Sequence, residues 1–130
     1  MQQVLNISFD FDGTLTKKTV QDFARYCIDQ GLNVWIVTSR ANKGVHESYN
    51  IELFKVAESL GIPQDRIIFT NGGLKKDYFR QFSDFIFHLD DDWIELHEIE
   101  IHTDVKAIPV FGNSDWEQEC YNAIQYVSQS

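Results

Sequence analysis

Five short apolar runs alternate with stretches of helical period along the 130 residues, and this alternation limits the fold more than any other feature. Val4–Phe9, Val34–Val37, Ile67–Thr70, Phe85–Leu89 and Val105–Val110 each have the length of a strand. In the first of them Leu5, Ile7 and Phe9 face one way, and Asn6 and Ser8 the other. The intervening segments repeat apolar residues at three- and four-residue steps. Val20, Phe23, Ala24, Cys27 and Ile28 form one such stripe; Ile51, Phe54, Ala57 and Leu60 form the next. A short helix is expected over Asp77–Phe82. Two more carry Trp93, Ile94, Leu96 and Ile99, then Trp116, Cys120, Ala123, Ile124 and Val127, with both tryptophans expected in the core. Gly31 is expected to cap the first helix, and Gly61 and Pro63 to stop the second. Asn71-Gly72-Gly73 closes the third strand, Asp92 caps the fourth helix, and Ser114 with Glu117 has the spacing of a capping box. Strands separated by helices build a parallel sheet through right-handed crossovers. Pro109 lacks an N–H and suits an edge strand. The expectation is a single α/β domain over residues 1–130.

Composition narrows the class of partner. Hydrophobic residues make up 43% of the chain, enough to build a core rather than a disordered tail. Lys and Arg total 11 against 20 Asp and Glu, a net charge of −9 that argues against general nucleic-acid binding. Cys27 and Cys120 show no metal-ligand or disulfide-framework spacing and read as buried apolar residues in a reducing compartment. Gln2 and Gln3 precede an apolar run that Asp10 interrupts, which is not a signal-peptide pattern. No apolar stretch approaches the ~20 residues that span a bilayer. A cytoplasmic protein without membrane contact is expected.

The chemistry concentrates where the strands end. Ligands of an open parallel sheet bind beyond its carboxyl edge. The first strand runs into Asp10-Phe11-Asp12-Gly13-Thr14-Leu15-Thr16, and the fourth into Asp90-Asp91-Asp92. Carboxylates gathered from two strand ends repel one another, more so when buried. A hard divalent cation removes the conflict, and Mg²⁺ binds through one or two carboxylates plus phosphate oxygens. Thr38-Ser39-Arg40 after the second strand and Lys75-Lys76 after the third supply hydroxyl and cationic groups that suit a phosphoryl group.

The run FDFDGTLT, then Thr38 at the end of an apolar strand, then Lys75 or Lys76, then LDDD, resembles the four-motif signature of the haloacid dehalogenase superfamily, from Val4 to about Asp92. The resemblance implies a three-layer α/β/α Rossmann-like domain with strand order 5-4-1-2-3. It implies that Asp10 is a nucleophile forming an aspartyl-phosphate and Asp12 the general acid/base. Asp10, the Asp12 backbone carbonyl, Asp90 and Asp91 would hold Mg²⁺. Thr38 would hold a phosphoryl oxygen, with Ser39 and Arg40 beside it in substrate binding. Lys75, in Lys75-Lys76-Asp77, matches the motif lysine, with Lys76 the alternative.

Members of that superfamily differ by their cap domains. Only Gly13 to about Lys18, and only Asn71–Leu74, occupy the usual insertion points, so the resemblance implies a capless phosphomonoesterase with an open site. Such a site suits polymer ends or phosphoproteins, or is closed by a partner or a second copy. Thr38-x-Arg40 with Asp90-Asp91 is also similar to polynucleotide 3′-phosphatase domains, Arg40 then reaching a second phosphate. A non-catalytic phosphoryl-binding module is the reading from another class. A signalling receiver domain, however, has its aspartate at the end of the third strand, where this chain has Thr70-Asn71-Gly72-Gly73. His46, His88, His97 and His102 lack metal-ligand spacing and read as surface or packing residues. Asn42–Asn50, with His46, is placed to line the substrate entrance.

Overall fold

The computed structural model describes residues 4–42 and 47–129. Its strands are β1 (Asn6–Phe9), β2 (Asn33–Thr38), β3 (Ile67–Phe69), β4 (Phe87–Asp90) and β5 (Lys106–Pro109). Its α-helices are α1 (Lys18–Asp29), α2 (Ile51–Leu60), α3 (Lys75–Gln81), α4 (Trp93–His102) and α5 (Trp116–Ser128). All pairings are parallel, in the order β3-β2-β1-β4-β5. Counted from the other edge this is 5-4-1-2-3. It sets β1 beside β4 and leaves β5, with Pro109, at an edge. No helix among the described residues is long and apolar enough to cross a membrane.

Alternation along the strands sorts side chains to two faces. Ile7, Phe9, Ile36, Phe87, Leu89 and Ile108 pack with residues of α1, α2 and α5, including Val20, Phe23, Leu53, Ala57 and Cys120. Val37 joins Phe79 of α3, Phe85, Ile99 of α4 and Val105 on the other face. The polar residues of β1 that disturbed its pattern therefore point to the α3–α4 side, where Ser8 is fully buried.

Several boundaries differ from expectation for local reasons. Helix α3 begins at Lys75, not Asp77, because Lys75 is buried one turn from Phe79, a place the apolar pattern assigns to no lysine. Helix α2 buries Leu53, Ala57 and Leu60 and leaves Ile51 exposed. It ends at Gly61 (φ +82), whose neighbour Ile62 donates back to the Ala57 carbonyl at 2.8 Å. In α1 the cap is Gln30, and Gly31 (φ +89) lies one residue beyond it. Trp93 and Ile94 are exposed rather than core, and α4 buries Glu95, Leu96 and Ile99 instead; the Trp93 ring lies 4.8 Å from that of Phe111 at a tilt of 35°. Trp116, expected in the core, is partly buried at its margin, edge-on to Phe23. The Ser114 capping box does not form. Its Oγ sits 3.0 and 2.9 Å from the Pro109 and Phe111 carbonyls, and Asp115 takes the cap position. Asp92 does cap α4, accepting from the Ile94 and Glu95 amides.

Candidate functional site

Pairing of β1 with β4 matches Phe9 with Leu89, and the Asp10 amide donates to the Leu89 carbonyl at 2.8 Å. That register brings Asp10 and Asp90 together at the carboxyl edge of the sheet. Both are buried. Lys75, at the first turn of α3, is 2% exposed and bridges them: its Nζ lies 2.7 Å from Asp10 Oδ1 and 2.6 Å from Asp90 Oδ2. Glu95 of α4 accepts the Lys75 backbone amide, and Thr14 Oγ1 donates to Asp10 Oδ2 at 3.3 Å. Lys76 turns outward to Glu98 at 2.9 Å. Of the two candidate lysines, the fold sends Lys75 to the acids.

Asp91, exposed, completes the group: Asp10, Asp90 and Asp91 can each offer a carboxylate oxygen, all within 4.8 Å of one another. One ammonium is shared by two buried carboxylates, and Asp91 adds a third acid beside them. Burial, followed in the same direction by Asp90 and Asp91, pushes the Asp10 carboxyl up to about 8 despite the opposing charge of Lys75. Burial also acts against the charge on Asp90, but the hydrogen bond from His88 and the charge and hydrogen bond of Lys75 hold it well below the usual carboxylate range. Burial disfavours the Lys75 ammonium as well, yet Asp10 and Asp90 keep it protonated. Three hard oxygen donors with uncompensated negative charge are a chemical match for a divalent cation such as Mg²⁺.

The chain between β1 and α1 makes room for this group. Asp12 is extended (ψ 125°), and Gly13 then turns at φ +73. The Asp91 carboxylate lies where a Cβ on Gly13 would stand, so both the backbone angle and the space require glycine. Asp10, Asp12, Ser39, Lys75, Asp90 and Asp91 line an open cavity of about 240 Å³. Thr38 ends β2 fully buried, its Oγ1 accepting the Arg40 amide at 3.2 Å.

Arg40 is committed to the protein itself. Its guanidinium grips the Asp12 carboxylate through two hydrogen bonds, donates to the Tyr49 carbonyl at 2.8 Å, and lies 5.0 Å from the ring centres of Phe11 and Tyr49. The Asp12 carboxylate is thereby turned to Arg40 and stands apart from the Asp10–Asp90–Asp91 group. His46 lies outside the described residues. His97 and His102 are exposed.

His88 and Glu95 were missed by sequence reasoning. His88 is fully buried, with Nε2 2.8 Å from Asp90 Oδ2 and Nδ1 2.8 Å from Ser8 Oγ. A signal existed in the two-residue period: Ser8 precedes Asp10 by two, and His88 precedes Asp90 by two, so all four face the same side.

No protein-family model matches the chain, and the search of curated proteins finds no match.

Proposed function

We propose that the chain is a Mg²⁺-dependent phosphomonoester hydrolase of the haloacid dehalogenase type, without a cap, working through an aspartyl-phosphate on Asp10. The observation that carries this reading is the bridge of Lys75 between Asp10 and Asp90, with Asp91 within a cation's reach. An arrangement of that kind keeps one carboxylate oriented while leaving its charge to be balanced by a metal and a phosphoryl group.

In this mechanism Asp10, Asp90 and Asp91, with the Asp12 backbone carbonyl that the family resemblance adds, would hold Mg²⁺, which would supply charge neutralisation at the phosphoryl oxygens. An Asp10 oxygen attacks phosphorus, the ester P–O bond breaks, and the departing oxygen takes a proton from Asp12. Asp12 then accepts a proton from water as that water attacks the phosphorus, and the bond to Asp10 breaks to release inorganic phosphate. Lys75 neutralises the buried carboxylates, and Thr38 with Ser39 supplies hydroxyls at the end of β2. The short connections at residues 11–17 and 70–74 leave the site open, which favours large phosphorylated substrates or a partner that closes it.

Hydrolysis of an aryl phosphate with and without Mg²⁺ tests the reading. Asp10→Asn is expected to lower turnover by about 10⁴-fold or more, and acid-quenched enzyme to carry phosphate on Asp10. Equal rates for Asp10→Asn and wild type would overturn it.

A further inference from the structure

Asp90 is bound unevenly. Its Oδ2 takes two donors, Lys75 Nζ at 2.6 Å and His88 Nε2 at 2.8 Å, whereas its Oδ1 takes, among the described residues, only the Asp92 amide at 3.1 Å. An ionised carboxylate only accepts hydrogen bonds, so the proton of the imidazole belongs on Nε2. The bare Nδ1 then accepts from the Ser8 hydroxyl at 2.8 Å. Ser8 and His88 are register partners across β1 and β4, both fully buried, and Phe79 of α3 packs on the imidazole at 5.2 Å. The chain Ser8–His88–Asp90 therefore runs through the sheet on its α3–α4 face and ends at the acid cluster.

We propose that His88 is a positioning residue for the cation site: held by Ser8 and Phe79, it donates to Oδ2 of Asp90 and, with Lys75, leaves the less occupied Oδ1 as the oxygen that meets a divalent ion. A ligand carboxylate that can rotate offers either oxygen or both; one pinned from behind offers one, in one direction. Groups that hold a metal ligand in this manner contribute strongly to affinity without touching the metal. The inference rests on the divalent-cation part of the reading above and adds residues that neither the motifs nor the acid cluster include.

The test reads cation binding rather than turnover. Mg²⁺ is titrated calorimetrically into wild type, His88→Gln and His88→Leu, with near-ultraviolet circular dichroism reporting their fold. A glutamine amide nitrogen falls near the position of Nε2, so His88→Gln is expected to bind within about threefold of wild type, and His88→Leu about 10- to 100-fold more weakly. Unchanged affinity in His88→Leu overturns the proposal, as does His88→Gln falling as far as His88→Leu. Should His88→Leu not fold, the imidazole nitrogen resonances of isotope-labelled wild type decide: a protonated Nε2 and bare Nδ1 support the proposal, and the opposite tautomer overturns it. Wild type that binds no divalent cation removes this inference and the metal reading together. Wild type that binds Mg²⁺ but hydrolyses no phosphomonoester removes only the phosphatase reading.

Discussion

Arg40 holds the Asp12 carboxylate as a fork, Nη2 to Oδ1 at 2.7 Å and Nε to Oδ2 at 2.9 Å. The same guanidinium ties down the Tyr49 carbonyl, so the orientation of the Asp12 carboxylate is set by the segment that follows β2. A bidentate pair sets the plane of a carboxylate as well as its position.

If Asp12 protonates the leaving oxygen, loss of Arg40 matters most where that oxygen needs a proton. Arg40→Ala is expected to slow hydrolysis of an alkyl phosphate by about 10²-fold and of a nitrophenyl phosphate by only a few-fold. Arg40→Lys, a point charge without the fork, should fall between them. The dependence of kcat on leaving-group pKa checks this: a steeper slope in Arg40→Ala is expected, and equal losses across the series count against it.

The sharing of Lys75 between Asp10 and Asp90 predicts opposite stability effects for Asp10 and for Lys75 itself. Asp10→Asn replaces a carboxyl whose ionisation burial and its acidic neighbours oppose with an amide that never ionises. Without divalent cation it should raise the melting temperature by about 3–6 °C, the shift of about 1 kcal/mol in a domain of this size. Lys75→Met leaves two buried acids without their cation and should cost about 3–5 kcal/mol. Lys76→Met, losing a partly exposed partner, should change little. Denaturant midpoints of the three variants check the order.

Gly13→Ala places a methyl group against Asp91 at a backbone angle that alanine resists. A loss of about 1–3 kcal/mol is expected. Weakened Mg²⁺ binding should accompany it, since Asp91 must move. Calorimetric titration beside a thermal melt separates the two effects; full binding in a destabilised variant would mean that Asp91 is not a ligand.

Burial pushes the Cys27 thiol up to about 12, and burial raises Cys120 as well. An unfolded thiol ionises from about 8.5, so above that pH the unfolded state binds fewer protons than the native one and stability falls. The contribution is whole below that range and is lost as pH rises through about 12. Each thiol contributes a slope of about 1.4 kcal/mol per pH unit there. Urea midpoints between neutral and alkaline pH should decline more steeply for wild type than for Cys27→Ala, although the variant starts lower because of its cavity.

Much of the arrangement was legible before any coordinates. Apolar runs alternating with helical stripes required a parallel sheet, and Asp10, Asp12, Asp90 and Asp91 were visible at strand ends because acids cannot continue a strand buried on both faces. Pro109 marked its edge. Less legible were positions where one residue serves two masters. Lys75 counts as polar in a periodicity and is nevertheless buried. Ser114 has the spacing of a cap, but its hydroxyl is taken by the turn after β5. Trp93 and Ile94 have a core stripe's spacing, yet α4 turns Glu95, Leu96 and Ile99 inward and leaves both exposed.

Order and kind of element, and the acids available to a cation, were therefore written in the chain itself, since hydrophobic period and strand-end polarity are local properties. Tertiary structure alone decided that Lys75 rather than Lys76 meets Asp10, that Arg40 turns to Asp12, and that Ser8 and His88 stand behind Asp90. The Lys75–Asp10 contact joins residues separated by 65 positions, and Ser8–His88 by 80. Such pairings depend on the register between β1 and β4 and on where α3 begins. Two-residue spacing put Ser8 and His88 on the face of the acids, but only the register set them opposite one another.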